Sequence, residues 1–331
     1  MNLKNISLNI YSFGYYAGFI NDPNRTQKTL DIDGLVHLAK KYELGGVEFP
    51  FDHFYNIDEI SQGIENIKEI QAGGLSVFID LEKTDVEYIV QLLPYLSSIN
   101  IEVVRIKMDQ IGRTIYGGNR YTSGTFDKAV KEFKQQLSDL LPTLKKHKVV
   151  LAIENHQDLH STELVEISSS ISQKFIGVTW DVGNSLSMAD SPDSFYKNTK
   201  HIIKNVHLKD YKVCESEAGV QLLRCPLGEG YVNYKNVLKK LTKNQGIVNM
   251  SIEIGAQNPR ECDIDNKLYW KSLSNIKIDK SGYLDFVGRH VISECLKHKK
   301  IVEKDIIKNE LQELERSVHN LKQILGEVND C

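Results

Sequence analysis

Short runs of apolar, often β-branched residues alternate with longer amphipathic stretches along most of the chain. This order is typical of a parallel sheet whose strands are joined by helical crossovers. The predicted strands lie at residues 6–11, 45–49, 75–80, 103–107, 149–153, 176–180, 206–208 and 248–254. An open doubly wound sheet usually has about five or six strands and often a Gly-x-Gly-x-x-Gly turn after the first strand, which this sequence lacks. The eight strand–helix units therefore predict an α/β fold of the (β/α)8 TIM barrel type.

The end of the chain follows a different pattern. Apolar residues recur there at spacings of four and three, which indicates one long helix, at Ile307, Leu311, Leu314, Val318, Leu321, Leu325 and Val328. Such a stripe predicts a helix that packs on the barrel or on a neighbouring subunit. We therefore expect a barrel at residues 1–271, a C-terminal helical extension at residues 272–331, and a homo-oligomer.

Composition limits the class of partner. The chain is 41% hydrophobic and 26% charged, as is usual for a globular enzyme. Its net charge of −3 argues against a nucleic acid or an anionic membrane as the main partner. The apolar start, residues 1–20, is interrupted by Asn9 and Ser12, so we interpret it as a first strand and not as a signal peptide. A cytoplasmic location is expected.

Ionisable residues lie at the predicted carboxyl ends of seven successive strands: Glu48, Asp80, Lys107, Glu154, Asp181, His207 and Glu253. In a barrel these strand ends form one rim, where the chemistry takes place. Burying several charges together is unfavourable unless a cation or a substrate compensates them. The rim is therefore the expected active site.

One subset of this rim has the composition of a metal site: Glu154, Asp181, His207 and Glu253. Three carboxylates and one imidazole form a hard, mostly oxygen site that suits one divalent ion, with Mn²⁺ favoured and Mg²⁺ or Co²⁺ as alternatives. The five cysteines form no Cys-x-x-Cys pair, which excludes a thiolate-rich zinc site.

Six short segments resemble the motifs of the xylose-isomerase-like barrels, the sugar phosphate isomerase/epimerase superfamily. They are Gly46-Val47-Glu48, Glu154-Asn155-His156, Trp180-Asp181-Val182-Gly183-Asn184, Val206-His207-Leu208-Lys209-Asp210, Pro226-Leu227-Gly228-Glu229-Gly230 and Ile252-Glu253-Ile254-Gly255. The resemblance covers about residues 1–260 and implies that the same four residues bind one divalent metal. Such a metal polarises a sugar carbonyl and stabilises the enediolate that forms when a neighbouring C–H loses its proton. Glu154 and Glu253 are then candidates for both metal ligation and acid/base catalysis.

Two details favour a relative that breaks a bond. His156 lies two residues after Glu154, so strand periodicity directs both side chains to one face and makes His156 a candidate base that is not a ligand. Asn184 stands where several ketose epimerases carry a substrate-binding histidine. The loop from Arg224 through Glu229 resembles that of C-glycoside deglycosidase large subunits and of decarboxylases acting on oxo-sugar acids. We therefore predict a lyase acting on a 3-keto sugar derivative, by C-glycoside deglycosidase-like elimination or related C–C cleavage. A keto-sugar isomerase or epimerase is the alternative.

Other polar residues are candidates for substrate binding. Glu48 and Lys107 are expected either to contact sugar hydroxyls or to pair with each other. Lys209 and Arg224 are expected either to meet a phosphate or carboxylate or to be solvated. Asn184 and Glu229 complete the predicted substrate-binding set. The glycine-rich segment 116–124 predicts a mobile lid or a plain surface loop.

Partners and more distant functions follow from the same features. A sugar is the expected small-molecule partner, and a resemblance to deglycosidases implies a second, small subunit in a hetero-oligomer. Apurinic endonucleases share the barrel but use several metals and a basic DNA-facing surface, which the net charge of −3 disfavours. A non-catalytic sugar-binding barrel would not need a chelating set of carboxylates.

Overall fold

The computed structural model describes residues 1–20, 28–108, 120, 124–217, 219–244, 246–255, 258–292 and 303–329. The predicted lid at 116–124 lies almost entirely outside these residues. The strands in the described part are β1 (Ser7–Asn9), β2 (Gly46–Pro50), β3 (Ser76–Asp80), β4 (Val103–Ile106), β5 (Val150–Glu154), β6 (Ile176–Asp181), β7 (Ile203–Leu208), β8 (Asp210–Ser216), β9 (Gly219–Cys225), β10 (Asn249–Ile252), β11 (Arg260–Cys262) and β12 (Val291–Ile292).

Eight parallel strands close into a barrel in the order β1-β10-β7-β6-β5-β4-β3-β2. This confirms the predicted TIM barrel. Strand β1 is shorter than the predicted strand at 6–11 because the Asn9 side chain accepts a hydrogen bond from the Tyr11 N–H at 2.9 Å. That bond starts a 3₁₀ turn over Ile10–Ser12.

Helices surround the barrel. Those in the described residues are α1 (Ile32–Lys41), α2 (Phe51–Phe54), α3 (Ile60–Ala72), α4 (Val86–Ser98), α5 (Phe126–His147), α6 (Ser161–Ile171), α7 (Pro192–Thr199), α8 (Tyr234–Leu241), α9 (Lys267–Ser272), α10 (Lys280–Gly288) and α11 (Glu303–Asn329). Several begin where a polar side chain caps the first free N–H groups: Asp31 accepts from Gly34, Asp85 from Tyr88, and Ser191 from Ser194. None of the described helices is long and apolar enough to cross a membrane.

A second, smaller sheet follows the barrel strand β7, in the order β11-β9-β8-β12. Strands β8 and β9 form an antiparallel hairpin in which Asp210 pairs with Cys225 and Ser216 with Gly219. The sequence analysis did not predict this hairpin. Along β9, buried and half-buried positions mostly alternate, whereas β8 is buried at four of its first five positions.

The C-terminal stripe forms the long helix α11, which packs on the barrel. Near its start the buried Glu310 carboxylate accepts the N–H groups of Tyr15 and Tyr16, at 3.0 and 2.9 Å, in the loop after β1. At its end Asn329 accepts a hydrogen bond from the Met1 amino group at 3.1 Å. The helix also contacts α8. It therefore lies where the eighth crossover helix of a barrel belongs, whereas the domain boundary at residue 271 stays a prediction.

Truncating Leu314 is expected to destabilise the whole barrel. Leu314 is fully buried in α11 and packs in the hydrophobic core. Replacing such a leucine with alanine lowers the free energy of unfolding by about 2–5 kcal/mol. Denaturant unfolding measures this, with Leu311→Ala, at a half-buried position of the same stripe, as the milder control. Equal midpoints for Leu314→Ala and the wild type would show that α11 is not integral to the barrel.

Candidate metal centre

The four predicted metal ligands meet at one end of the barrel. Glu154 and Asp181 are the last residues of β5 and β6, His207 lies near the end of β7, and Glu253 follows β10 directly. Each offers one ligand atom, and these atoms all lie within 4.8 Å of one another. All four side chains are buried. We call this group the four-residue cluster, and its composition and spacing can hold one metal ion.

Two atoms of the cluster face each other without a third polar partner. His207 Nδ1 and Glu253 Oε2 form an ion pair at 2.7 Å, and neither makes a well-directed hydrogen bond to any other described residue. Buried polar atoms are nearly always satisfied, so such a pair needs an explanation. A divalent cation between an imidazole nitrogen and carboxylate oxygens provides one. The residues present therefore fit a divalent metal.

Glu48 lies behind His207 and not at the mouth of the barrel. His207 Nε2 is 3.1 Å from Glu48 Oε1. Glu48 also contacts Asn205 at 2.7 Å, Asn249 at 2.9 Å and Ser251, and it is hydrogen-bonded to the buried Asp80. The side chain is fully buried. A carboxylate that binds the second nitrogen of a metal-ligating histidine fixes its tautomer and its orientation. The contacts found for Glu48 are thus with His207 and neighbouring polar side chains, and its predicted contact with a sugar hydroxyl or Lys107 stays a prediction.

Replacing Glu48 by glutamine is expected to weaken Mn²⁺ binding by about 10- to 100-fold, the usual effect of losing such an outer partner. The amide keeps the size of the side chain and removes the charge that orients His207. Isothermal titration of the variant with Mn²⁺ measures the effect. Glu310→Gln, a buried carboxylate of α11, is the matched control. An unchanged Mn²⁺ affinity in Glu48→Gln would show that Glu48 does not support the cluster.

Two buried cations bond to the carboxylates of the cluster. Lys209 Nζ contacts Asp181 and lies 2.6 Å from Glu253 Oε1. Arg105 Nε donates to Glu154 Oε2 at 2.5 Å. Lys209 was expected from the sequence as a group that meets an anion or solvent, whereas Arg105 was not identified.

The missed Arg105 carried a usable signal. It lies inside a predicted strand, two residues before Lys107, and strand periodicity places both side chains on one face. Lys107 itself is half-buried at the rim, where its positive charge lowers the pKa of Glu82 and the pKa of His156. Only Lys107, at the strand end, was predicted, although Arg105, two residues earlier, is the side chain that contacts Glu154 of the cluster.

Asparagine and glutamine side chains hold the cluster from one side. Asn184 Nδ2 donates to Asp181 Oδ2 at 2.6 Å and lies 3.4 Å from Glu154 Oε1. Gln157 donates in turn to Asn184 Oδ1 at 2.8 Å. Asn155, which the sequence analysis did not single out, binds the Asp181 backbone through both ends of its amide. Asn184 is therefore beside the metal ligands, and its contact with a substrate stays a prediction.

His156 lies next to the cluster without belonging to it. Burial lowers the pKa of His156 to about 3. The positive charges of Lys107, Arg105 and Lys209 lower it as well, whereas the negative charge of Glu154 raises it. The imidazole is therefore neutral at pH 7, and it holds a proton only weakly in this environment. Its predicted role as base stays a prediction.

Both outer glutamates are held in the ionised form. Although burial opposes it, the Arg105 guanidinium lowers the pKa of Glu154 to about 2. Lys209 likewise lowers the pKa of Glu253 well below its usual range against the effect of burial. Carboxylates that hold protons this weakly are better suited to binding a cation than to taking a proton from carbon.

Arg224 and Glu229 are not brought to the cluster. Arg224 Nη1 donates to the Gly255 carbonyl at 2.6 Å, and its Nη2 contacts Glu313 of α11. Glu229 accepts from Arg316 Nε, also on α11, at 3.0 Å. Both residues thus join rim loops to α11, and their predicted contacts with a substrate stay predictions.

An aromatic and acidic group lines the barrel mouth near β1–β3. The rings of Tyr11 and His53 each lie 4.8 Å from that of Phe19. Glu82 accepts the Tyr11 O–H at 3.2 Å and lies 3.4 Å from His53 Nδ1.

Comparison with known proteins agrees with this architecture. Residues 36–272 match the family described as xylose isomerase-like TIM barrel. The chain is 22% identical over 135 residues to the 3-oxo-isoapionate decarboxylase of Pectobacterium atrosepticum. This match covers 40% of this chain and 49% of that protein. It is 24% identical over 233 residues to the uncharacterised protein YihM of Escherichia coli K12, covering 68% of this chain and 66% of that protein. The chain thus spans about half to two thirds of the curated relatives it matches.

A solved structure extends the likeness to the whole fold. The 3-keto-D-glucoside 4-epimerase of E. coli superposes with a TM-score of 0.55 at 14% identity, covering 82% of this chain and 97% of that one. An identity this low shows a shared fold and leaves the reaction open.

Proposed function

Since the chain belongs to the xylose isomerase-like TIM barrel family, we propose that it is a divalent-metal-dependent enzyme that acts on a keto-sugar through an enediolate. The observation that carries the proposal is the buried four-residue cluster, whose ligand atoms lie within 4.8 Å of one another. Burying several carboxylates together is unfavourable unless positive charges, such as a bound cation, compensate them.

The proposed metal ligands are the four residues of the cluster, with Mn²⁺ as the favoured ion. When bound, the ion polarises the sugar carbonyl and favours negative charge on its oxygen. Lys209 and Arg105 place two further positive charges beside the carboxylates that would hold the ion. Because both are buried, their effect on the developing charge is stronger than it would be in water.

His156 is the proposed base. It is neutral, lies next to the cluster and follows Glu154 by two residues. A carbonyl at sugar C3 acidifies the hydrogen at C2, and His156 takes this proton while the C–H electron pair moves toward the carbonyl oxygen. A positioned base of this kind typically accelerates proton transfer by about 10²- to 10⁴-fold.

We favour a lyase as the overall reaction. The electron pair of the enediolate returns to form a C1=C2 double bond, and the substituent at C1 leaves with its bonding pair. His156, a neutral group outside the proposed ligand set, supports this reading, since elimination needs no second base to return the proton elsewhere. The name of the curated decarboxylase relative supports the related possibility of C–C cleavage.

Isomerisation or epimerisation is the second candidate. Glu154 and Glu253 both approach His207 Nδ1, at 3.8 and 2.7 Å. A substrate bound at the cluster would therefore have a carboxylate on either side, as is needed to remove a proton and return it at another carbon.

Product analysis separates the two reactions. The protein is incubated in D₂O with Mn²⁺ and a panel of free ketoses and 3-keto glycosides, and the products are identified by mass spectrometry. Release of an aglycone or of CO₂ is expected for the lyase. A sugar product changed only by deuterium would instead establish the isomerase or epimerase. Turnover that persists unchanged in EDTA would contradict the proposed metal-dependent function.

We also propose a cytoplasmic homo-oligomer, or a hetero-oligomer with one small subunit, that binds neither nucleic acid nor membrane. The near-balanced charge of 41 Lys plus Arg against 44 Asp plus Glu supports the last point, the lack of a nucleic-acid or membrane partner. Sedimentation of the purified chain tests the proposed homo-oligomer, and a monomer would contradict it.

A further inference from the structure

The loop after β5 has an unusual backbone conformation at Gln157. This residue lies three positions after Glu154 and has a φ of 65°, in the left-handed region. The other non-glycine residues with positive φ in the described part of the chain each follow a helix or a 3₁₀ turn, where this conformation is ordinary: Glu43, Asn100, Lys148 and Ala189. Gln157 follows a strand instead, at the barrel rim. Strained backbone of this kind clusters at functional sites.

The metal cluster determines which way the Gln157 amide points. Asn184 Nδ2 lies 2.6 Å from Asp181 Oδ2, and only the NH₂ end of an amide can donate to a carboxylate. Asn184 Oδ1 therefore faces the other way and accepts from Gln157 Nε2 at 2.8 Å. The oxygen Oε1 of Gln157 is consequently directed away from Asn184. Exchanging this oxygen with Nε2 would break the chain of bonds.

The oxygen at the end of this chain is an acceptor that needs a donor. Gln157 is only 3% exposed, and its Oε1 has no hydrogen-bond partner among the described residues. A buried acceptor of this kind is unfavourable by itself, and such groups are nearly always satisfied. The neighbouring His156 and Asp158 are half-buried, so this part of the loop lies at the barrel mouth, where a ligand enters.

We propose that Gln157 Oε1 accepts a hydrogen bond from a hydroxyl group of the substrate and thereby selects sugars that carry this hydroxyl. The inference rests on the proposed function and adds to it a specificity-determining residue outside the metal ligands. An amide oxygen only accepts, so the group that it binds must donate. A hydroxyl donates without bringing a charge, whereas a carboxylate has no hydrogen to give. Because Gln157 is joined through Asn184 to Asp181, this hydroxyl belongs to the sugar that is bound at the cluster.

Titration calorimetry on the Mn²⁺-loaded protein tests the proposal with 1,5-anhydro-D-glucitol and with analogues in which one hydroxyl at a time is replaced by fluorine. Fluorine is close to a hydroxyl in size but donates no hydrogen bond. We expect one analogue to bind the wild type about 10- to 100-fold more weakly than the parent sugar, because Oε1 then stays unpaired. The parent sugar has no carbonyl and is not turned over, so the measurement reports binding alone.

Two variants of Gln157 separate sugar binding from folding. Gln157→Asn shortens the side chain by one CH₂ group and suits the left-handed backbone better, since asparagine is enriched there. Its unfolding midpoint should therefore be at least that of the wild type. Gln157→Met keeps the length and removes the oxygen. In both variants the parent sugar should bind as weakly as the one affected analogue, with Mn²⁺ affinity unchanged. Gln135→Asn, at an exposed glutamine of α5, is the matched control and should change no affinity.

Four results would overturn the proposal. The parent sugar does not bind the wild type, no fluorine replacement weakens its binding, or the same replacement weakens binding to the wild type and to both Gln157 variants alike. The fourth is loss of Mn²⁺ binding in both variants, since Gln157 would then support the cluster and not the sugar. Failure of the proposed function is distinct from these, because it would appear as a wild type that binds no Mn²⁺.

Discussion

Replacing Glu253 by glutamine is expected to abolish metal-dependent turnover and to weaken Mn²⁺ binding by more than about 100-fold, beyond the effect of losing an outer partner of a ligand. Glu253 Oε2 forms an ion pair with His207 Nδ1 at 2.7 Å, so the two side chains could hold one ion between them. Its other oxygen, Oε1, lies 2.6 Å from Lys209 Nζ. Glutamine keeps the shape of this side chain, but it loses the charge that attracts the metal.

Calorimetric titration with Mn²⁺ and a turnover assay read out the two effects separately. Glu310→Gln controls for the general effect of neutralising a buried carboxylate. The role assigned to Glu253 would be refuted by a Glu253→Gln protein that binds Mn²⁺ normally and turns over at the normal rate.

The His156→Ala variant is expected to bind Mn²⁺ as the wild type does and to lose about 10²- to 10⁴-fold in turnover, the usual contribution of a positioned base. His156 lies beside the four-residue cluster and is neutral at pH 7, because burial and three nearby cations lower its pKa to about 3. Removing it takes away a proton acceptor and leaves the proposed ligands in place. Turnover and Mn²⁺ affinity, measured on the same preparation, give the two numbers.

His201→Ala, at an exposed histidine, serves as the matched control and should behave as the wild type in both measurements. Loss of bound Mn²⁺ from His156→Ala would instead make His156 a ligand or a support of the site. Full turnover in that variant would mean that another group takes the proton.

The four proposed metal ligands could be found from the sequence because each stands at a strand end in a repeating unit. Parallel strands of a barrel all point the same way, so Glu154, Asp181, His207 and Glu253 meet at one rim whatever the details of packing. The fold class follows from the same periodicity.

The remaining site contacts depend on depth and on chain-distant packing. Glu48 is also near a strand end, yet it lies behind His207, and no spacing in the sequence tells these two depths apart. Arg105 lies inside a strand, where a charged residue is easily read as a solvated one. Arg224 looks like an anion-binding residue until its contact with Glu313 of α11 is seen, a pairing across almost 90 residues.

The role of the C-terminal helix was ambiguous for a similar reason. An apolar stripe predicts that a helix is covered, but not by what. The contacts of Glu310 with the loop after β1, and of Asn329 with Met1, place α11 between the first and last barrel strands. Those partners are roughly 300 residues away in sequence, so only the fold reveals them.

The most direct test of the account measures solvent deuterium uptake by a 3-keto glycoside as a function of Mn²⁺ concentration. We expect the rate to follow the filling of a single Mn²⁺ site per chain, to fall to background in EDTA, and to return when Mn²⁺ is added back. Uptake that is indifferent to EDTA, or that persists in Glu253→Gln, would contradict a metal-assisted proton transfer at the four-residue cluster.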